Sequence, residues 1–155
     1  MSGAVIVVGV DGSDGSRRAL RWALAEARLR GSTVQAVTAW PTRDAVTRME
    51  QLDAAEARRE AADLQQRGLD EVLAERPEPP ALSYEVVHGD PVEVLLLASS
   101  NAEMLVVGSH NTSSISHVML GSVSEACARM AECPVVVLPM GTPVGRRPSE
   151  PTPGE

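Results

Sequence analysis

Short segments typical of β-strands alternate with segments of helical period along this chain, and the alternation limits the folds it can adopt. The strand candidates span residues 4–10, 33–39, 82–87, 103–107 and 135–138; residues 4–10 form a continuous apolar run, whereas residues 82–87 alternate in the manner of a strand with a partly exposed face. Helical spacing of apolar residues, or a helix-start signal, falls between them, at residues 16–30, 50–75, 91–99 and 122–131. Strands that alternate with helices form a parallel sheet with helices on both faces. The sequence therefore predicts one α/β domain with five parallel strands.

Two helix starts carry capping signals. Asp90 precedes Pro91 and is followed three residues later by Glu93, which predicts an N-cap at Asp90 with proline at the first helical position. Ser122 and Glu125 repeat the spacing of a capping box. We therefore expect Ser122 to begin the fourth helix as its cap.

Two of the predicted strands end in unusual residues. The first ends in Gly9-Val10-Asp11-Gly12-Ser13 and the fourth ends at Gly108. In an open parallel sheet, ligands bind at the carboxyl ends of the strands, at the point where the strand order reverses. The order 3-2-1-4-5 makes strands one and four neighbours, so that both loops face one crevice. We predict an open, Rossmann-like sheet of that order.

The loop after Gly108 is rich in glycine and hydroxyl side chains and leads to Gly121-Ser122 at a helix start. Glycines allow the backbone to approach a ligand, and a helix N-terminus offers unpaired N–H groups to phosphates. All 14 basic residues of the chain are arginines, and none lies between Gly108 and Ser124. Ser122 is the most credible phosphate ligand, because it combines a hydroxyl, an N–H group and a helix start.

The composition argues against several classes of partner. A formal charge of −7 disfavours nucleic acid, because binding to its backbone needs clustered cations. No apolar run reaches the ~20 residues that span a membrane, and the N-terminus lacks the features of a signal peptide. Cys127 and Cys133 match no metal-binding spacing and are expected to be reduced. We expect a cytoplasmic protein.

The end of the chain supports two further expectations. The run Val135-Val136-Val137-Leu138 would lie at the edge of the sheet, where an apolar strand needs a partner. Pairing with a second copy about a two-fold axis would supply one. From residue 140 onward the chain has no apolar pattern, so we predict a domain at 1–139 and a disordered, proline-rich tail at 140–155.

These motifs resemble the universal stress protein family, in its nucleotide-binding form. The family signature is G-x-x-G, nine residues, then G-[ST]; Gly108 and Gly121-Ser122 match it, whereas residue 111 is asparagine instead of glycine. Further likeness lies in VVGVDGS at the start, HGDPVEVLLLAS in the middle and LGSVSEACARMAECPVVVLP near the end. The resemblance covers roughly residues 4–139.

The resemblance implies a stress-response protein that binds ATP with Mg²⁺ or Mn²⁺ and signals as a homodimer paired through its last strand. Asp11 would contact the ribose or the metal-bound phosphates, and Ala39 would line the adenine pocket. The full set of implied nucleotide-binding positions is Gly9, Val10, Asp11, Ala39, Gly108, Ser109, His110, Asn111, Thr112, Ser113, Ser114, Gly121, Ser122, Val123 and Ser124.

Other functions stay open at this point. The chain has no Walker lysine motif and no evident nucleophile–base pair, so we expect binding with slow or negligible hydrolysis. An enzyme with weak ATPase or autophosphorylating activity is one alternative. A dimeric interaction module without a nucleotide is another, and a site that prefers AMP or cyclic AMP is a third.

Overall fold

The computed structural model describes residues 3–40, 48–76, 78–109 and 121–139, with side chains from residue 54 onward in the helix that begins at residue 48. Strands and helices alternate along the chain without exception in these residues. Their bounds are Val5–Gly9 (β1), Asp14–Arg30 (α1), Thr33–Trp40 (β2), Arg48–Ala74 (α2), Leu82–His88 (β3), Pro91–Ala98 (α3), Met104–Gly108 (β4), Ser122–Met130 (α4) and Val135–Leu138 (β5).

The five strands form one parallel sheet in the order β3-β2-β1-β4-β5, which confirms the predicted topology. The strand order reverses between β1 and β4. Both strands end at the same edge of the sheet, with Gly9 and Gly108 as their last residues. The unusual loops that follow these two strands therefore begin side by side.

Two apolar layers enclose the sheet, because alternate residues of a strand face opposite sides. Ile6, Val8 and Val106 belong to the layer under α1 and α2. Val7 and Leu105 belong to the layer under α3 and α4. All five of these side chains are fully buried, so the central strands are apolar on both faces, as the continuous runs in the sequence predicted.

The start of α3 agrees with the sequence prediction, whereas the starts of α1 and α4 differ from it. Asp90 caps α3 as predicted, since its Oδ2 accepts hydrogen bonds from the N–H groups of Val92 (3.1 Å) and Glu93 (3.2 Å). Helix α1 begins two residues before the predicted position, because the Ser13 hydroxyl caps it. The predicted cap at Ser122 is wrong: Gly121 occupies the cap position, and Ser122 is already helical.

Helix α1 approaches the end of β4 very closely, backbone to backbone. A β-carbon added at Gly108 would lie 2.3 Å from the carbonyl carbon and oxygen of Gly15, far inside any real contact distance. Gly15 lies in the first turn of α1 and is buried. The two glycines therefore allow the start of α1 to rest directly on the end of β4.

Replacing Gly108 by alanine should lower the free energy of unfolding by at least about 2 kcal/mol, because the added methyl group forces α1 away from β4. Urea denaturation measures this change. Gly68→Ala is the matched control: the nearest atom to the added carbon is Val10 Cγ1 at 3.7 Å, and alanine favours a helix interior over glycine by about 1 kcal/mol. Equal unfolding midpoints for Gly108→Ala and the wild type would contradict the packing account.

Candidate functional site

The carboxyl ends of β1 and β4 border a cavity of about 130 Å³. That volume is near the size that holds a single small aromatic ring and is smaller than a typical ligand pocket. It opens at the edge of the sheet where the strand order reverses, which is where the sequence predicted a crevice. The described residues that line it are Gly9, Val10, Asp11, Ser13, Ser16, Val37, Ala39, Pro91, Leu95, Val107, Gly108 and Val123.

The turn after β1 holds Asp11, the only charged residue among those lining residues. Its Oδ1 accepts hydrogen bonds from the backbone N–H of Ser13 at 2.9 Å and from the Ser13 hydroxyl at 2.5 Å. The turn requires a positive φ of 83° at Gly12, a conformation that glycine adopts without strain. The same Ser13 hydroxyl accepts from the Ser16 N–H at 3.1 Å, so the turn is joined directly to α1.

The inner walls of the cavity are apolar. Val37 and Ala39 lie two residues apart on β2 and so share the face that packs toward α3 and α4. Leu95 of α3 and Val107 of β4 belong to the same apolar layer. Val123, at the start of α4, completes the wall. The cavity thus combines an apolar interior with a carboxylate at its rim.

The N-terminus of α4 adjoins the cavity through Val123. Gly121 is its cap residue, with extended backbone (φ −60°, ψ 158°), and glycine has no side chain with which to cap this end of the helix. The predicted capping box fails because the cap is Gly121, so that the third helical position falls on Ser124 instead of Glu125. The cap residue therefore offers no side chain to the first N–H groups of α4.

Two predicted binding serines form hydrogen bonds inside the protein. The Ser124 hydroxyl donates to the Gly108 carbonyl at 2.9 Å, and Ser124 is only 2% exposed. Ser109 is 1% exposed; its N–H donates to the Leu138 carbonyl at 2.9 Å and its hydroxyl approaches the same oxygen at 3.3 Å. Both residues hold the end of β4 in place.

The structure brings many of the predicted site residues to one place. Gly9, Val10, Asp11, Ala39, Gly108 and Val123 line the cavity, and Gly121 and Ser122 begin the adjoining helix. The predicted positions His110, Asn111, Thr112, Ser113 and Ser114, and the predicted tail at 140–155, lie outside the described residues. Their roles stay predictions.

Sequence reasoning missed the cavity-lining residues Ser13, Ser16, Val37, Pro91, Leu95 and Val107. Val37 could have been found, because it shares a strand face with Ala39. Pro91 follows a recognised helix cap, but no local pattern places that helix start beside β1. Only the packing of α3 on the sheet brings Pro91 and Leu95 to the cavity.

With the donors that the described residues supply, a divalent metal fits this site together with a phosphate ligand. Among the described residues, no group of three or more His, Cys, Asp or Glu side chains could hold an ion. Asp11 supplies one carboxylate at the rim. Mg²⁺ commonly binds through one or two carboxylates, water and the phosphates of a nucleotide, and this donor set is compatible with that arrangement.

Both cysteines are free thiols. Cys127 is fully buried in the layer under α3 and α4, and Cys133 packs against that layer. Burial raises the pKa of the Cys127 thiol, and the negative charge of Asp90 raises it further. A raised pKa lowers the fraction of thiolate at neutral pH, so Cys127 is an unreactive core residue.

The helices in the described part of the chain include none with the length and hydropathy to cross a bilayer.

The open parallel sheet, with a cavity at the point where its strand order reverses, is that of a Rossmann-like α/β protein. The family model of the universal stress protein family matches residues 4–139, and the chain belongs to this family. Universal stress protein Rv2005c of Mycobacterium tuberculosis is 36% identical in an alignment of 137 residues that covers 86% of this chain. The chain spans only 45% of the length of that relative.

Solved structures of similar fold include two with nucleotides. A universal stress protein in complex with cAMP is 26% identical, with a TM-score of 0.59 over 91% of this chain and 100% of that one. The universal stress protein from Archaeoglobus fulgidus in complex with dAMP is 25% identical, with a TM-score of 0.56 over 88% of this chain and 98% of that one.

Alkylation of the native protein with iodoacetamide at pH 8 should label Cys133 well before Cys127, because Cys127 is buried and its pKa is raised. Mass spectrometry of the peptides measures the order, and labelling in denaturant provides the control in which both react. Equal rates for the two thiols in the native protein would contradict this account of the core.

Proposed function

We propose that this chain binds an adenine nucleotide in the cavity between β1 and β4, with ATP and Mg²⁺ or Mn²⁺ as its ligand. The likeness to the structures with cAMP and dAMP supports an adenine nucleotide in general. The observation that carries the proposal is the backbone of Ala39, which can recognise an adenine edge. A cytoplasmic role in the stress response, with negligible hydrolysis, is part of the same proposal.

The backbone N–H and C=O of Ala39 point to the β1 side of β2, at a level beyond the end of β1. Alternate residues of a strand direct these groups to opposite neighbours. The Thr33 N–H bonds to Ala4 and the Val37 carbonyl bonds to the Val10 N–H, so the odd-numbered residues of β2 face β1. β1 ends at Gly9, and the hydrogen bond from the Val10 N–H to the Val37 carbonyl is the last one described between this segment and β2. Ala39 is the next odd-numbered residue and lines the cavity.

An N–H and a C=O on one residue complement adenine. On the Watson–Crick edge of adenine, the exocyclic amino group donates a hydrogen bond and the ring nitrogen N1 accepts one. The apolar side chains of Val37, Leu95 and Val107 provide surfaces for the ring. The cavity of about 130 Å³ is near the size of one aromatic ring, so it would enclose part of the base and leave the ribose and phosphates at the open edge.

The open edge offers the means to hold phosphates. The N-terminus of α4, whose cap residue Gly121 has no side chain, presents N–H groups and a partial positive charge. Asp11 lies at the same edge and would repel free phosphates, so a triphosphate requires a divalent cation beside it. This charge pattern favours AMP or cyclic AMP as the second candidate ligand, because each carries less charge.

Base discrimination tests the proposal. Guanine in the same orientation would set its ring N–H against the Ala39 N–H and its carbonyl against the Ala39 C=O, and buried unpaired polar groups are costly. We expect Mg·ATP to bind at least about tenfold more tightly than Mg·GTP. Competition against a fluorescent adenine nucleotide measures the ratio. Equal affinities would contradict adenine recognition by Ala39. If neither nucleotide displaced the fluorescent probe, the interaction module without a nucleotide would be the remaining function.

We further propose that β5 pairs with β5 of a second copy. The Leu105 N–H bonds to the Pro134 carbonyl and the Ser109 N–H bonds to the Leu138 carbonyl, so even-numbered residues of β5 face β4. Val135 and Val137 therefore direct their backbone groups to the open edge, where no strand pairs with β5 in the described part of the chain. Pairing about a two-fold axis would satisfy these groups.

Ser109 provides a route by which the nucleotide could influence this dimer. It follows the last residue of β4 at the cavity, and both its N–H and its hydroxyl approach the Leu138 carbonyl. A ligand that fixes Ser109 would also fix the end of the pairing strand. Nucleotide binding and dimer stability would then be linked, each changing the other by the same factor.

Val137→Pro tests the pairing, because proline removes an N–H that faces the open edge and leaves the bonds to β4 intact. We expect the wild type to have twice the 16.4 kDa chain mass at micromolar concentration, and the variant to have 16.4 kDa. Light scattering measures both, and Val137→Thr, which keeps the N–H, should stay dimeric. A monomeric wild type would contradict the proposed dimer. A dimeric Val137→Pro variant would contradict pairing through the open edge of β5.

A further inference from the structure

Three elements meet at the last residue of β4. The first turn of α1 contacts Gly108 through Gly15. Ser109, which follows Gly108, donates hydrogen bonds to the carbonyl of Leu138 in β5. The third contact comes from α4, where the Ser124 hydroxyl donates to the Gly108 carbonyl at 2.9 Å. This last bond links the two ends of the predicted nucleotide loop, which begins after Gly108 and ends at α4.

We infer that Ser124 is a positioning residue, which holds the N-terminus of α4 against the end of β4 so that the phosphate side of the proposed nucleotide site is preformed. The inference rests on the proposed function and names a residue that acts on that site through Gly108. Ser124 was predicted to contact the nucleotide directly. Its hydroxyl carries one proton, and that proton is donated to the Gly108 carbonyl.

The burial of Ser124 supports a positioning role. The residue is 2% exposed and lies at the third position of α4, on the same first turn as Ser122 and Val123. A buried hydroxyl bonded to a carbonyl is costly to lose, because the carbonyl is then left without that partner. The bond therefore restrains the first turn of α4, whose N–H groups are the proposed phosphate donors.

The restraint acts mainly on the phosphate side of the ligand, since Val123 is the one residue of α4 among the described residues that line the cavity. Ala39, the proposed contact of the base, lies on β2 and is separated from β4 by β1. Ser122 and the first N–H groups of α4 lie on the phosphate side. Removing the Ser124 hydroxyl should thus weaken ligands that carry phosphates and leave the nucleoside nearly unaffected. A general loss of stability has no such selectivity.

The test compares Mg·ATP with adenosine by calorimetric titration and competition, in the wild type and in Ser124→Ala. We expect the affinity for Mg·ATP to fall at least fivefold and the affinity for adenosine to change less than twofold. Ser99→Ala is the matched control, since Ser99 is fully buried, its hydroxyl donates to the Leu96 carbonyl at 3.4 Å, and it lies at the far end of α3. It should change neither affinity.

Conservative replacements complete the test. Ser124→Thr keeps the hydroxyl and should restore Mg·ATP affinity to within twofold of the wild type. If Ser124→Ala does not fold, Ser124→Cys keeps the volume with only a weak S–H donor and should show the same selective loss.

Each contrary result is distinct. Equal losses for Mg·ATP and adenosine, or unchanged Mg·ATP affinity in a folded variant without the hydroxyl, would overturn the inference alone. A wild type that binds neither ligand would overturn the proposed function, and the inference with it.

Discussion

The contact between Gly15 and Gly108 is the constraint on which the rest of the site depends. It brings the first turn of α1 onto the end of β4 at a distance that no β-carbon would allow. The pairing of β1 with β4 places the two loops side by side, and the glycine contact sets how closely the start of α1, which follows the turn with Asp11, approaches the end of β4. The same few residues also receive Ser124 from α4 and connect through Ser109 to β5. A glycine in a nucleotide-loop motif therefore has a packing role here that needs no ligand.

Much of the fold follows from sequence periodicity, and the exceptions have local physical causes. Buried strands such as Val5–Gly9 are short apolar runs, and the two marked strand ends correctly indicated the neighbours β1 and β4. The start of α1 was placed two residues late, since the pattern of apolar residues begins after the Ser13 cap. Ser122 was mistaken for a cap because glycine can cap a helix without any side chain, which leaves no pattern to recognise.

The site was less predictable than the fold. Asp11 and Gly108 were found because glycine and acidic residues at strand ends are unusual, and both line the cavity. Pro91 and Leu95 were missed, since only tertiary packing brings α3 to this edge. Ser124 was predicted to contact the nucleotide, but its hydrogen bond to Gly108 depends on the distance between two elements, which no sequence pattern encodes.

The central claim is that the edge between β1 and β4 holds an adenine nucleotide. Calorimetric titration of Mg·ATP into nucleotide-stripped protein tests it most directly, with Asp11→Asn as the companion variant that keeps the side-chain shape and removes the charge. The account predicts micromolar binding of one nucleotide per chain, with weaker binding of Mg·ATP in Asp11→Asn. No heat from ATP, and no binding of AMP or cyclic AMP in the same experiment, would contradict it.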